Sequence, residues 1–334
     1  MKPRVAVVTT GGTIACRSDR ARGAPTRGGT GPELVGLIPD LGRIAAVEVR
    51  ELSLVPSWEF TIPYIDRIRH AVTDAFAGGA EGVVVTQGTD TLEETAFWLD
   101  LTLDVPALGG PVVVTGAMRN NSEAGADGPR NILDAVTVAA EGRRGYRVPV
   151  AVANSQIHAA RWVAKTDSFN PNTFQSPGHG PVGVVWGDEA AHSADPEPYP
   201  AIPVHNPGKR VMLIRWAAGM DDLFLRACLD AGVDGVVIEG MGLGHIPGKA
   251  VPAVAALRER EIPVIITTRC QTGPALPVYG GAGGGRDLAA MGCIFGRGLN
   301  GARARLMLAA GLGAGMAPDA LSALFAGPRG AVTV

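Results

Sequence analysis

The sequence predicts an α/β protein in two parts, each a sheet under helices. Three observations carry this. Short β-branched runs alternate with stretches whose apolar residues recur at spacings of three and four. Most of the runs are apolar throughout rather than at every second residue, which is the pattern of strands buried on both faces of a parallel sheet. The alternation breaks once, in DEAAHSADPEPYPAIPVHNPGKR at 188–210, where five prolines fall between Pro196 and Pro207, and then resumes.

The first strands are expected at 4–10 (RVAVVTT), 47–54 (VEVRELSL), 82–86 (GVVVT), 111–115 (PVVVT) and 148–153 (VPVAVA), with helices at 63–77, 91–102 and 129–141. Beyond the proline-rich stretch come strands at 211–215, 234–239 and 263–268, and helices at 220–231, 249–260, 300–311 and 318–326. The expected organisation is a larger, mostly parallel N-terminal domain over 1–190, a linker over 191–210 and a smaller parallel-sheet domain over 211–334.

The totals exclude several classes of function. Of 334 residues, 46% are hydrophobic and 19% charged, a globular composition. Gly 46 and Pro 25 are spread without a period, so they mark tight turns and not a fibrous repeat. A formal net charge of −2 leaves no nucleic-acid footprint. Cys16, Cys228, Cys270 and Cys293 form no CxxC pair, and the six histidines form no HExxH. Neither a metal nor a cofactor is expected. No window offers about 18 uninterrupted apolar residues, so no spanning helix is expected, and the polar start of the chain reads as cytoplasmic.

Ligands of open α/β sheets bind beyond the carboxyl ends of the strands. Three strand ends are alike: Thr9-Thr10-Gly11-Gly12-Thr13, Thr86-Gln87-Gly88-Thr89-Asp90-Thr91 and Thr115-Gly116-Ala117-Met118-Arg119. Neither GxGxxG nor GxxxxGK[ST] is present at these strand ends, which disfavours a phosphate cradle there. Each turn alone reads equally as a helix cap, with Glu93 and Glu94 as first-turn charges. Together they gather hydroxyls and a carboxylate at one sheet edge. A threonine hydroxyl needs a base to become a nucleophile. The residues themselves do not say which lysine or acid serves.

TGGTIA at 10–15, TQGTDTLEETAFWLDLT at 86–102, VVVTGAMR at 112–119, ADGPRNILDA at 126–135 and AKT at 164–166 resemble the bacterial-type L-asparaginase family. The resemblance implies that Thr13 is the nucleophile, that Thr89 and Asp90 supply a second hydroxyl and a carboxylate, and that Lys165 completes the catalytic set. It implies a substrate-binding set of Ser57, Trp58, Glu59, Gly12, Gly88 and His245. It implies L-asparagine as substrate, with some L-glutamine turnover, and a homotetramer or homodimer. In the implied reaction Thr13 forms a β-acyl ester and ammonia leaves. Lys165, made neutral by burial, takes a proton from Thr89.

The chain departs from that family in two places. The loop RSDRARGAPTRGGTG at 17–31, expected to be a flexible lid, carries no tyrosine, and Thr26 is its nearest substitute. In the second domain, GLGHIP places His245 where the family has an asparagine, and PVYGGAGGGRDL holds Tyr279 and Asp287 but no glutamate. GGAGGG at 280–285 reads as a flexible turn, Arg119 as a buttress, and the tryptophans as core or interface. The alternatives are a silent amino-acid sensor on this scaffold, an amidase for L-glutamine or D-asparagine, and a component of a tRNA-dependent amidotransferase.

Overall fold

Strand polarity and burial organise the chain into two units, Met1–Ala201 and Ile202–Val334. The computed structural model describes residues 1–12, 16–19, 24–27, 30–36, 38 and 40–327. In unit 1 the strands are β1 (Arg4–Thr9), β2 (Cys16–Asp19), β3 (Ala24–Arg27), β4 (Ala46–Glu51), β5 (Gly82–Thr86), β6 (Val112–Thr115), β7 (Val150–Ala153), β8 (Gln156–Ala159), β9 (Ala164–Lys165), β10 (Phe174–Gln175), β11 (Gly183–Trp186) and β12 (Glu189–His192). Eight of them form one sheet in the order β12-β11-β8-β7-β6-β5-β1-β4.

The half from β4 to β7 is parallel. Its inner strands β1, β5, β6 and β7 bury both faces, as their unbroken apolar runs require, while the edge strand β4, AVEVRE, stays partly exposed. Val5, Val7, Val84 and Val113 pack with Ile132 and Val136 of helix Gly128–Ala139. Ala6, Val8, Val83 and Val85 pack with Ile68 and Val72 of helix Ile62–Ala77 and Leu92, Ala96 and Leu99 of helix Leu92–Thr102. Chain order and spatial order part company at β1. The chain first adds β4 on one side and then β5 on the other, so the β1/β5 boundary is a topological switch point.

The other half of the sheet is antiparallel, through β8, β11 and β12. The turn from β7 to β8 places Asn154 and Ser155 at φ 51° and 58°, the left-handed pair that a tight hairpin needs. Sequence periodicity finds none of these three strands, since QIHA, GVVW and EAAH are short and lack alternation. Part of the expected linker is thus ordered sheet, with Glu189–His192 as edge strand β12. His192 stacks on Tyr146 at 4.2 Å between ring centroids and bonds Glu141. Within the loop expected as a lid, β2 and β3 pair antiparallel.

Unit 2 carries β13 (Val211–Arg215), β14 (Gly235–Gly240), β15 (Val264–Thr268) and β16 (Ile294–Phe295), all parallel and in sequential order. Sequential order leaves no switch point in this sheet. Within the glycine-rich stretch expected as a flexible turn, Gly283 makes a close contact: a Cβ there would lie 2.0 Å from the Ile246 carbonyl oxygen.

Two buried polar groups yield measurable consequences. Arg161 donates to Asp100 at 2.7 Å and to the Glu197 carbonyl at 2.8 Å, and lies over the Tyr199 ring, fastening the proline-rich segment to unit 1. Removing one partner of such a pair strands the other charge. Arg161→Ala is therefore expected to cost about 3–5 kcal/mol in urea unfolding. His158 is fully buried beside Ser176 and Gln156, and burial pushes its imidazole down to about 4. Below its unfolded pKa of about 6.5 the unfolded chain takes up a proton that the folded one refuses. Stability is thus complete above about 6.5 and falls toward pH 4, by roughly 3 kcal/mol from this group. Urea midpoints across that range should show a shallower slope in His158→Gln.

Candidate active site

The site begins where β1 and β5 end. Thr10 donates its N–H and its hydroxyl to the Thr86 carbonyl, each at 3.1 Å, tying the two strand ends together. Gly11 and Gly12 follow at φ 96° and 92°, conformations that residues with a side chain rarely adopt. A Cβ on Gly12 would lie 2.2 Å from the Gly88 nitrogen. On the far side of Gly88, an added Cβ would meet Ser57 Oγ at 2.5 Å. Two backbone segments therefore meet with no room for a side chain between them, and the Ser57 side chain closes against Gly88.

Ser57 is buried, and its hydroxyl accepts the Asp90 N–H at 3.2 Å. Thr91 donates to the Ser57 carbonyl at 3.0 Å. These bonds seat the Thr89–Thr91 turn at the head of helix Leu92–Thr102. Thr89 is buried and Asp90 half-exposed. Lys165, on β9, reaches both: Nζ donates to Thr89 Oγ1 at 2.9 Å and to Asp90 Oδ1 at 2.7 Å. Lys165 thus bridges a hydroxyl and a carboxylate, and its side chain keeps 17% of its exposure.

A second wall comes from the loop after β6. Asp127 accepts the N–H groups of Met118 and Arg119 at 3.0 and 2.9 Å. Buried Asn131 donates to the Gly116 carbonyl and to Asp127, and accepts the Asn154 N–H. Arg119 turns away to the Gly125 carbonyl, a buttressing bond as expected.

Together these groups enclose a cleft of about 160 Å³, the scale of an amino-acid-sized metabolite and well below that of a drug-sized ligand. Gly12, Gly88, Thr89, Asp90 and Lys165 line it, with Ser57 and the exposed Trp58. Met118 and Ser168, which sequence reasoning did not nominate, complete the lining among the described residues. Glu59 shares the Ser57–Glu59 turn but is exposed and stays out of the lining. His245 belongs to unit 2, edge-on to Tyr279 at 5.3 Å between centroids. Thr13 lies outside the described residues. A larger hollow of about 370 Å³ in unit 2, along β13 and helix Leu223–Ala231, offers no hydroxyl or carboxylate side chain. Among the described residues, no three His, Cys, Asp or Glu side chains converge on a metal site. No helix among them is long and apolar enough to cross a membrane.

Chemically, the cleft pairs a buried hydroxyl with an amine, and that amine with a carboxylate. Such a chain can carry a proton to or from a bound reactant.

Two family models match most of the chain. Residues 4–198 match the model described as Asparaginase, N-terminal, and residues 210–325 match the Glutaminase/Asparaginase C-terminal domain. A probable L-asparaginase of Deinococcus radiodurans is 37% identical over 328 residues, covering 97% of each chain. An L-asparaginase of Bacillus licheniformis is 32% identical, over 92% of this chain and 95% of that one. A glutamyl-tRNA(Gln) amidotransferase component of Methanosarcina barkeri is 29% identical, over 88% of this chain and 70% of that one.

The Gly12–Gly88 contact is open to a direct check. Gly12→Ala should lower stability by about 2–4 kcal/mol, through strain and collision together. Gly42→Ala, where an added Cβ meets nothing within 4 Å, should change the unfolding free energy by less than about 0.5 kcal/mol.

Proposed function

The chain belongs to the asparaginase family, and from that premise we propose that it is an L-asparagine amidohydrolase, producing L-aspartate and ammonia through a threonyl acyl-enzyme on Thr13. The observation that carries this reading is the Lys165 amine bridging Thr89 Oγ1 and Asp90 Oδ1 in an amino-acid-sized cleft. A pure binding site has no need of an amine held against a hydroxyl.

The proposed reaction has two halves. The Thr13 hydroxyl attacks the side-chain amide carbon and its proton passes to the amide nitrogen, so that ammonia leaves and an ester remains. Water then attacks the ester carbon, and its proton restores the Thr13 hydroxyl as L-aspartate leaves. The Thr89–Lys165–Asp90 chain carries protons in both halves. Backbone N–H groups around Gly88 and Thr89 receive the oxyanion, each donor worth about 3–4 kcal/mol. Asp90, half-exposed at the mouth, is the partner for the substrate's α-ammonium, and Ser57 stands on the α-carboxylate side. His245 of the partner subunit contributes where the family has asparagine. Self-association into a dimer or tetramer and a cytoplasmic location complete the proposal.

The amidotransferase relative supports a second reading, in which the same core releases ammonia from L-glutamine. Ammonia release from L-asparagine, L-glutamine and D-asparagine separates the readings. L-Asparagine should be the fastest substrate. Thr13→Ala and Lys165→Met should each lower kcat by roughly 10³-fold or more. A folded wild-type protein that binds amino acids yet releases no ammonia from any of the three would turn the assignment toward a sensor.

A further inference from the structure

Lys165 sits in a weak place. Its strand, β9, is two residues long and pairs only with β10, outside the main sheet. A two-stranded ribbon of this size does not hold itself rigid in water. Yet the amine at the end of a four-carbon side chain must stay within hydrogen-bond reach of Thr89. Something besides the ribbon has to anchor this lysine.

We propose that Glu93 is a positioning residue of the cleft, holding the Lys165 backbone so that its amine stays on Thr89. The inference rests on the amidohydrolase reading above. Glu93 Oε2 accepts the Lys165 backbone N–H at 2.8 Å, across 72 residues of sequence. The ladder explains why that N–H is available. Thr166 N–H donates to the Thr173 carbonyl at 2.9 Å, so Lys165 is the intervening residue of an antiparallel pair, whose N–H faces outward.

The same short segment therefore grips Lys165 at both ends. Thr89 and Asp90 take the amine, and Glu93 takes the backbone. Asp90 and Glu93 are three residues apart at the head of helix Leu92–Thr102, a spacing that turns both side chains to one side. A carboxylate acceptor makes the bond stronger than a neutral one, and the helix start favours its charge. Glu93 touches the backbone of a catalytic residue and acts through it.

The test compares Glu93→Ala, which removes the acceptor, with Glu93→Gln, which keeps an acceptor oxygen and loses the charge. Glu93→Ala should lower kcat for ammonia release about 10- to 100-fold, with KM within about threefold of wild type. Glu93→Gln should restore kcat to within about threefold of wild type. An activity-independent readout is at hand, because the chain has four lysines, Lys2, Lys165, Lys209 and Lys249. Selective lysine 15N labelling gives four backbone amide signals, and Lys165→Arg identifies the relevant one. In Glu93→Ala that signal should move and exchange faster with solvent, and in Glu93→Gln it should stay protected. The proposal fails if the Lys165 amide is unaffected in Glu93→Ala, if KM changes while kcat does not, or if Glu93→Gln is as impaired as Glu93→Ala. Should wild type release no ammonia, the amidohydrolase reading falls by itself, and the amide signal still decides whether Glu93 holds Lys165.

Discussion

Everything in the cleft depends on how closely two backbones approach each other. Neighbouring strands lie about 4.8 Å apart, and side chains usually separate the loops that leave them. At the β1/β5 boundary that separation is removed, because Gly12 and Gly88 meet with no space for a Cβ. The contact draws the loop that leads into Thr13 against the turn that presents Thr89 and Asp90. It occurs at the one boundary of the parallel half where the chain reverses its direction of addition, so the loops diverge beyond it and leave a crevice. The sheet of unit 2 adds its strands in sequence, and the residues lining the cleft all belong to unit 1.

Around that contact, polar groups fix what packing alone would leave loose. One wall is held by Asp127 and Asn131, whose bonds run from the Met118 loop through the helix to the β7–β8 turn. The other wall holds Lys165, bound at its amine and at its backbone by residues of one segment. Buried polar networks with satisfied partners specify one arrangement and make departures from it costly. That rigidity suits a relay in which a proton must find its acceptor within about 3 Å.

The parallel strands and main helices were legible in the sequence because burial on both faces writes itself into unbroken valine and isoleucine runs. Val5–Val8, Val83–Val85 and Val112–Val114 could hardly be read otherwise. The turn at Gly88–Asp90 was legible for a related reason: glycine and hydroxyl residues crowd the end of an apolar run. The short strands β8, β11 and β12 were not legible, since four residues with no alternation carry no period. Glu93 was visible only as a helix-start charge, because its partner lies 72 residues away and nothing local announces it. Ser168 was hidden for the same reason. Lys165 came from a family resemblance and not from any physical signal in AKT itself.

The threonines at the strand ends have one more consequence, and it concerns how the sheet finds its alignment while folding. β5 and β6 pair Val83 with Val112, Val84 with Val113, Val85 with Val114 and Thr86 with Thr115. Sliding one strand by a single residue exchanges valine for valine through most of the ladder, and both faces stay apolar. Hydrophobic burial, which chooses register when only one face is buried, is nearly indifferent here. The choice falls to the ends of the strands. At the amino end, Gly110 lies so close to the Glu81 carbonyl that a Cβ would sit 1.9 Å from its oxygen. At the carboxyl end, Thr115 donates to the Val152 carbonyl at 2.7 Å. That bond crosses to β7, so it holds β6 in place against its other neighbour. The hydroxyl-rich edge that later frames the cleft is thus also the mark against which the newly forming sheet is aligned.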